Sequence, residues 1–587
     1  MRRPSACSTC RARRRKCIYP TGQRERPSAC EYCLSRGLQC TQEPPEGGYY
    51  ALRQARATKF QESTASQQAI PSPRDEHSTP TTTCQDHHDM PLMPLRLELV
   101  NLYFDYIHDQ FHSMYHRPSF TDDVANDRVP KVVLLAMFAL SSRFSVSEAF
   151  AGTDPRYRGE GYREASERIL NIRDITPTTA QTCLLLGAYA AANGDIDVEN
   201  LYYSLAGRMC LALDLPNRPV ATLLERELNI RVWWTVCMVD VWSSTAVKLP
   251  KIMPAETSVP LPIDEIPFSA MSAHFTSSFI NNPATYESPL LAEMIKLNRI
   301  LSKVIDFNQG CVAEHLEGAP LEIGVRSLSR ELEGWYEYLP LHMRDTPENF
   351  EWFASRGLGR MFAAVYLGYY HYGQLLNYQF LGAEATTSSS VYAENCKHHA
   401  SRLCEVVYRS FATPGNEVLY SAVSHILVIA STVQIHTLLF SGNEAQIRLS
   451  KSRLERNFVI LLQLKSYWPS VDSAMSRLRA FHQTCLRSKE TSFVLDRWLL
   501  RFLVQFAPHM ELEPRDNDPD YEALLALSKQ SPLSSHSGYV PEHAIAPRNG
   551  PQRSLAAENT TTSPHPSGAH PTVAVGVLGV APSLSHN

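Results

Sequence analysis

The chain has 587 residues, of which 44% are hydrophobic and 20% charged, with 56 Lys plus Arg against 60 Asp plus Glu. That composition is ordinary for a globular chain and excludes a collagen-like or wholly low-complexity one. The longest uninterrupted apolar stretches run to about nine residues, as in Val132–Leu140, where a membrane helix needs about 20, so no span is expected. At roughly 100–200 residues per domain, the length predicts two to four folded units. The N-terminal MRRPSACSTC has no apolar segment behind its arginines, and no secretion is expected. Pro, Ser and Thr gather near the ends, which points to a large middle domain between looser segments. The charge is divided: residues 1–40 hold ten basic and two acidic side chains, a net of +8, which leaves −12 on the rest of a chain of formal charge −4. A small basic head on an acidic body points to a polyanion-binding module joined to something else.

That head also holds six of the 14 cysteines, Cys7, Cys10, Cys17, Cys30, Cys33 and Cys40, spaced C-x2-C-x6-C-x12-C-x2-C-x6-C. The pattern is an internal duplication of CxxC-x6-C. Two thiolates at CxxC spacing grip one metal ion, and a third arriving after a short helix adds another ligand. Each half is then one sulfur short of a tetrahedral zinc shell. If two of the six thiolates bridge, two Zn²⁺ ions each see four sulfurs. Six thiolates and two Zn²⁺ together contribute −2, so the loaded head stays basic at +6. A disulfide-stapled knot and a redox-sensing thiol cluster are the alternatives, and the duplicated CxxC favours metal. The other eight cysteines are scattered, most of them within apolar helical patterns such as those around Cys183, Cys210 and Cys404. They read as small buried hydrophobes.

CSTCRARRRKC…CEYCLSRGLQC resembles the binuclear zinc cluster (Zn(2)-C6 type) DNA-binding domain of fungal transcription factors. By position, the resemblance makes Cys7 and Cys30 the bridging ligands. Cys10 and Cys17 complete one ion, and Cys33 and Cys40 the other. It implies two Zn²⁺ ions per chain and a CGG-type half-site on double-stranded DNA. Arg13 and Arg14 occupy the positions where the family presents base-contacting basic residues, with Arg14 the leading reader. Arg11, Arg15 and Lys16 mainly meet phosphate. Two departures stand out: the x12 loop is longer than the family's common six, and Pro27 lies one place earlier than usual before Cys30.

Residues 46–91 are rich in Pro, Ser, Thr, Gln and charge and are expected to be a mostly disordered linker after a cluster domain at 1–45. Tyr49–Ser63 is the candidate coiled coil for a homodimer. It offers Leu52, Ala55 and Phe60, with Lys59 breaking the seam, where three or more apolar heptads are the rule.

Residues 92–505 read as an all-α domain, so the fold class is mostly α: helical hairpins packed in layers. Leu95, Leu99, Leu102, Tyr103, Tyr106 and Ile107 recur at helical spacing ahead of a turn at His116–Phe120. Pro130 opens VVLLAMFALSSRF, and Thr176-Pro177 is a cap followed by a first-turn proline. Further helices are expected over 201–213 and 226–244, and near 290–307, 357–382, 391–412, 417–441, 448–466 and 472–503. The pieces LYFDYIHDQFHSMYHRPSF, VVLLAMFALSSRFS, YYSLAGRMCLALDL and IRVWWTVCMVDVW resemble the middle homology region of the same fungal regulators over about 92–390. Asn229 and Ile230 replace common basic residues there, and Lys248-Leu249-Pro250 a frequent Gly-Arg-Pro.

Three groups in this domain have the residue types of sites. His108, His112 and His116 fall at i, i+4 and i+8, the spacing for metal on one helix face, but Pro118 is expected to end such a helix. Asp122–Asp127 nearly spells the DDxxD of helical terpene cyclases, with Asn126 at its fifth position. An exposed polar loop is the plainer reading. Trp233-Trp234 and Tyr366, Tyr369, Tyr370 and Tyr372 read as core. No Walker loop, GxSxG or HExxH occurs, so no catalytic residues are assigned.

Residues 506–587 lose periodicity and read as a disordered tail. Within it, Glu511–Leu527 interleaves six acids with Tyr521, Leu524, Leu525 and Leu527, the composition of an activation segment that recruits transcription machinery or a coactivator. The whole reads as a nuclear, sequence-specific DNA-binding regulator of RNA polymerase II transcription, not an enzyme and without a membrane partner. A secondary-metabolite gene cluster is the expected target by class frequency. The rival readings are a ligand- or redox-responsive regulator of nutrient-use genes and a helical Mg²⁺-dependent enzyme.

Overall fold

The computed structural model describes residues 30–36, 90–110, 112–247, 249–271, 288–314, 316–382, 387–487 and 502–503. Expectations for the rest of the head, the linker and the tail lie outside these residues. The chain divides into two units, Met1–Gln85 and Asp86–Asn587. In the first, the described residues form one short helix, α1 (Glu31–Ser35). In the second, the described residues form helices joined by turns and loops; their one β-type pairing is an isolated bridge between His108 and His112.

Local chemistry sets the helix boundaries. After α2 (Met93–Tyr106) the chain turns, and α3 (Arg117–Ala125) starts where His116 caps the N–H of Ser119, with Pro118 in the first turn. The expected turn at His116–Phe120 is thus a helix start, because proline lacks only an N–H that a first turn leaves unpaired anyway. After α4 (Lys131–Ser141) and α5 (Glu160–Ile169) comes α6 (Pro177–Asn193), whose Thr176 hydroxyl accepts from Thr179 N–H. Gly194 at φ 80° ends α6, and Asp195 caps α7 (Ile196–Ala212) at once, so the two helices fold back on each other. The long helix α8 (Leu223–Val247) and the short α9 (Glu265–Ser269) follow.

The second half comprises α10 (Leu290–Glu314), α11 (Ala319–Tyr338), α12 (Pro347–Ala354), α13 (Gly359–Asn377), α14 (Thr387–Ala412), α15 (Ala422–Phe440), α16 (Glu444–Lys465) and α17 (Ser470–Arg487). Helix α13 packs against α10, α11, α12, α14 and α15, and α15 against α14, α16 and α17. Val423–Thr437 of α15 are buried without a break. This helix is long and apolar enough to cross a membrane by composition, against the expectation of no such stretch, but 83% of that apolar window is buried within the protein. Its serines, threonines and histidines break the apolar run in sequence without breaking the helix. Helix α11 was not expected: only Val325, Leu328, Leu332 and Trp335 of its 20 residues are buried, too sparse a stripe to stand out.

Charge is buried deliberately in the first half. Arg231, on α8, has a fully buried side chain. Its Nε donates to Glu227 Oε1 (2.9 Å), Nη1 to Ser113 Oγ (2.8 Å) and Nη2 to the Ile263 carbonyl (2.7 Å). Glu265 Oε1 is 3.5 Å away, and the Phe268 ring centroid is 3.6 Å from the guanidinium carbon. Glu227 also accepts from Ile263 N–H, and Glu265 from Leu290 N–H. Burial pushes the Glu265 carboxyl up to about 8 despite Arg231 drawing it down. Removing the cation therefore strands two buried carboxyls. Arg231→Ala is expected to lower the stability of the full chain by about 3–5 kcal/mol in chemical denaturation. Arg326→Ala, which breaks an exposed 3.9 Å pair with Glu322, should change it by less than about 0.5 kcal/mol.

Candidate functional site

Helix α1 buries the wrong residues for an ordinary amphipathic helix. Cys30 and Cys33 are fully buried, whereas Leu34 is 64% exposed and Ser35 and Arg36 are exposed. Cys30 is the N-cap, with φ −72° and ψ 157°, and its carbonyl accepts from Leu34 N–H at 2.9 Å. Cys33 is the third helical residue. N-cap and third position are the pair whose side chains meet in a capping box, so both thiols belong to one side of the helix start. Leaving a leucine in water while covering two thiols is a poor use of apolar burial and a good use of two metal ligands. The residues present thus fit zinc at this half-site. Cys7, Cys10, Cys17 and Cys40 lie outside the described residues, as do Arg11, Arg13, Arg14, Arg15 and Lys16. Tyr49–Ser63 and Glu511–Leu527 do so too.

The other groups with the residue types of sites resolve into structure. His108, His112 and His116 do not share a helix face, because α2 ends at Tyr106. His108 Nε2 accepts from the N–H groups of Met114 and Tyr115 at 3.1 and 3.2 Å. His112 Nε2 lies 3.3 Å from the Tyr420 hydroxyl, and burial pushes this imidazole down to about 3. His116 caps α3. All three rings are buried and turned to separate partners. Among the described residues no cluster of three or more His, Cys, Asp or Glu could hold a metal ion.

Asp122 and Asp123 close the last turns of α3 rather than standing in a loop. Arg128 clasps both, with Nε 2.7 Å from Asp123 Oδ1, and Arg96 holds Asp127 at 2.6 Å. Their charges are met by arginine, as on a solvated helix end. Trp233 and Trp234 are buried, and Trp234 Nε1 donates to the Pro260 carbonyl at 2.8 Å. Tyr366 donates to the Met343 carbonyl and Tyr370 to Asp345, itself paired with Arg402 and Arg409. All four tyrosines are core.

Residues 100–337 match the family described as "Fungal specific transcription factor domain". An uncharacterized transcriptional regulatory protein of Schizosaccharomyces pombe is 22% identical over 558 residues, covering 82% of this chain and 65% of the relative. A second one from that yeast is 23% identical over 367 residues, 57% of this chain and 36% of the relative. The Zn(2)-C6 fungal-type transcription factor FTF1c of Fusarium oxysporum f. sp. lycopersici is 21% identical over 440 residues, 68% of this chain and 46% of the relative. The chain spans between about a third and two thirds of the length of these relatives. By name these relatives are transcriptional regulatory proteins and a transcription factor.

The helical unit holds its cysteines as hydrophobes. Cys183, Cys210, Cys396, Cys404 and Cys485 are buried, and Cys237 is half-buried. Burial pushes Cys183 and Cys210 up to about 12 and Cys404 up to about 11. At neutral pH almost no thiolate is available for attack. Native full-length protein treated with iodoacetamide at pH 7.5 should leave Cys183, Cys210 and Cys404 unmodified by peptide mapping, and denaturant should make all three react. Alkylation of any of them without denaturant would show that its thiol is open to solvent.

Proposed function

We propose that the chain is a fungal transcriptional regulator of the Zn(2)-C6 type, on the strength of the match of residues 100–337 to the fungal-specific domain, and that it reads DNA sequence through a two-zinc, six-cysteine cluster. The observation that carries this is the burial of Cys30 and Cys33 together on a helix that leaves Leu34 exposed. Cys7, Cys10, Cys17, Cys30, Cys33 and Cys40 would hold two Zn²⁺ ions, with Cys7 and Cys30 shared. Zinc supplies the folding energy that so small a head cannot draw from an apolar core. Residues 1–45 form this cluster, 46–91 link it to a regulatory domain at 92–505, and 506–587 carry the acidic segment Glu511–Leu527 that recruits transcription machinery. The protein works in the nucleus on RNA polymerase II promoters, with a secondary-metabolite gene cluster as the proposed target.

The basic run between Cys10 and Cys17 does the reading. A short helix there enters the major groove end-on, so only its few exposed positions reach base edges. Arginine suits guanine because its fork donates to O6 and N7 together, whereas lysine offers one flexible ammonium. We therefore assign Arg14, then Arg13, to a CGG-type half-site, and Arg11, Arg15 and Lys16 to phosphate.

Two measurements test this. Purified full-length protein should contain two Zn²⁺ per chain by elemental analysis. Cys30→Ala should lose more than one ion, and Cys40→Ala about one. A single Zn²⁺ in the wild type would end the shared-thiolate arrangement. Arg14→Ala should cost about 1–3 kcal/mol on a CGG site and far less on scrambled DNA. Lys16→Ala should weaken both alike and reduce the salt slope by about one unit. Equal loss on both DNAs in Arg14→Ala would remove Arg14 from base reading.

A further inference from the structure

The helical unit encloses a cavity that neither the zinc head nor the DNA reading explains. It lies where α7 and α8 meet the start of α15 and the first turn of α17, and its cavity volume is about 60 Å³, room for a small molecule, with a mouth open to solvent. Its walls are mostly apolar and aromatic: Met238, Trp242, Tyr203, Tyr420 and Ala474 face it. The walls are firm. Gly187 gives up a side chain to the Tyr203 ring, since a Cβ there would come within 2.5 Å of it. Trp242 stacks on His371, centroids 5.7 Å apart and 9° from parallel.

One group in this wall is out of place. Glu199, on α7, is only 2% exposed, and its Oε2 has no hydrogen-bond partner among the described residues. A buried carboxyl without a partner is among the costliest things a fold can hold. Elsewhere in this protein buried carboxyls are matched: Glu227 and Glu265 by Arg231, and Asp345 by Arg402 and Arg409. Among the described residues no lysine or arginine lines the cavity. His425 lines it as a neutral imidazole, driven well below its usual range by burial and by Arg477, which approaches its Nδ1 at 3.4 Å.

A carboxyl with one buried, unpartnered oxygen among three aromatic side chains is the chemistry that selects an organic cation, since ring faces and carboxylate both attract positive charge. We propose that this cavity binds a small, largely apolar amine in its ammonium form, paired with Glu199 and held among Tyr203, Trp242 and Tyr420. The site is independent of zinc and of DNA, so its failure would leave the proposed function standing, and the reverse.

Proton balance gives the test. Burial pushes the Glu199 carboxyl up to about 8, so at pH 7 the empty site is mostly protonated. An ammonium that binds there turns the acid into a carboxylate, and the proton leaves to solvent. The probes are phenethylamine, phenethyl alcohol and 3-phenylpropanoate, which share a ring and differ in charge. They are titrated calorimetrically into full-length protein at pH 7 in buffers of different ionisation enthalpy. The amine should bind best and release close to one proton, and the alcohol should release none. Glu199→Gln, folded by circular dichroism, should bind the amine about tenfold or more weakly, abolish the proton release and leave the alcohol unchanged. The proposal is overturned if the amine fails to bind, if it binds no better than the alcohol or the acid, or if its binding releases no proton in the wild type.

Discussion

A guanidinium sealed from water must be surrounded by its own acceptors, and Arg231 imposes that requirement on three separate stretches of chain. Its partners are Glu227 one turn away, Ser113 in the loop after α2, and the segment from Ile263 to Glu265. Glu265 in turn receives the first N–H groups of α10, at Leu290 and Leu291. One cation thereby fixes the loop that carries the buried histidines, the path of chain leaving α8 and the start of the second half. Apolar contacts can slide by a fraction of an ångström with little change in energy. A buried charge with directional donors cannot, because each lost partner leaves an unsolvated group. Apart from Glu227 on its own helix, Arg231 joins stretches without long regular helix, the loop at Ser113 and the segment from Ile263 to Glu265, and so orders what the helix ladder cannot.

The helices were legible because helix formation is largely local. Thr176-Pro177 marks the start of α6 in the sequence, and the start is found there; the end, at Gly194, was not read from the sequence. The long apolar helices of the second half were visible in outline, with ends displaced by a few residues, as where Asn443 caps α16 ahead of the expected start near 448. Helix α11 escaped because its buried stripe is four residues in 20. His116–Phe120 was misread because proline carries two opposite messages. After a helical run it signals a stop, and after a capping side chain it signals a start. Only the geometry of His116 tells which applies.

Candidate sites divide in the same way. Cysteines at CxxC spacing are legible because chelation requires neighbours in sequence, and Cys30 and Cys33 fall within a single helical turn. His108, His112 and His116 had suitable spacing too, but the loop at Asp109, with φ 65°, sends their rings to different partners. Arg231 and Glu199 gave no signal. Arg231 meets Ser113 across 118 positions, and Glu199 faces residues near 420 and 470. Nothing in one sequence distinguishes a buried charge from the many charges that cover a helix surface, since burial is decided by helices far away along the chain.

That distance bears on what the family-matched segment is. Residues 100–337 are a unit of resemblance, but they do not close their own core. Arg143 on α4 donates to the Tyr467 carbonyl at 3.0 Å and lies over the Trp468 ring, 4.4 Å from its centroid. Asn308 donates to the Leu375 carbonyl, His112 meets Tyr420, and Trp335 packs on Tyr369. Every one of these partners lies beyond residue 337. Cut at that point, the segment would expose one face of α10 and leave the Arg143 guanidinium, which burial already pushes down to about 10, without its carbonyl and its ring. The stable entity is therefore the longer helical unit, in which the second half completes the first. The cavity beside Glu199 lies on that seam, with α7 and α8 on one side and α15 and α17 on the other. A seam is where small changes in packing act on both halves at once, because neither half can relax without uncovering the other.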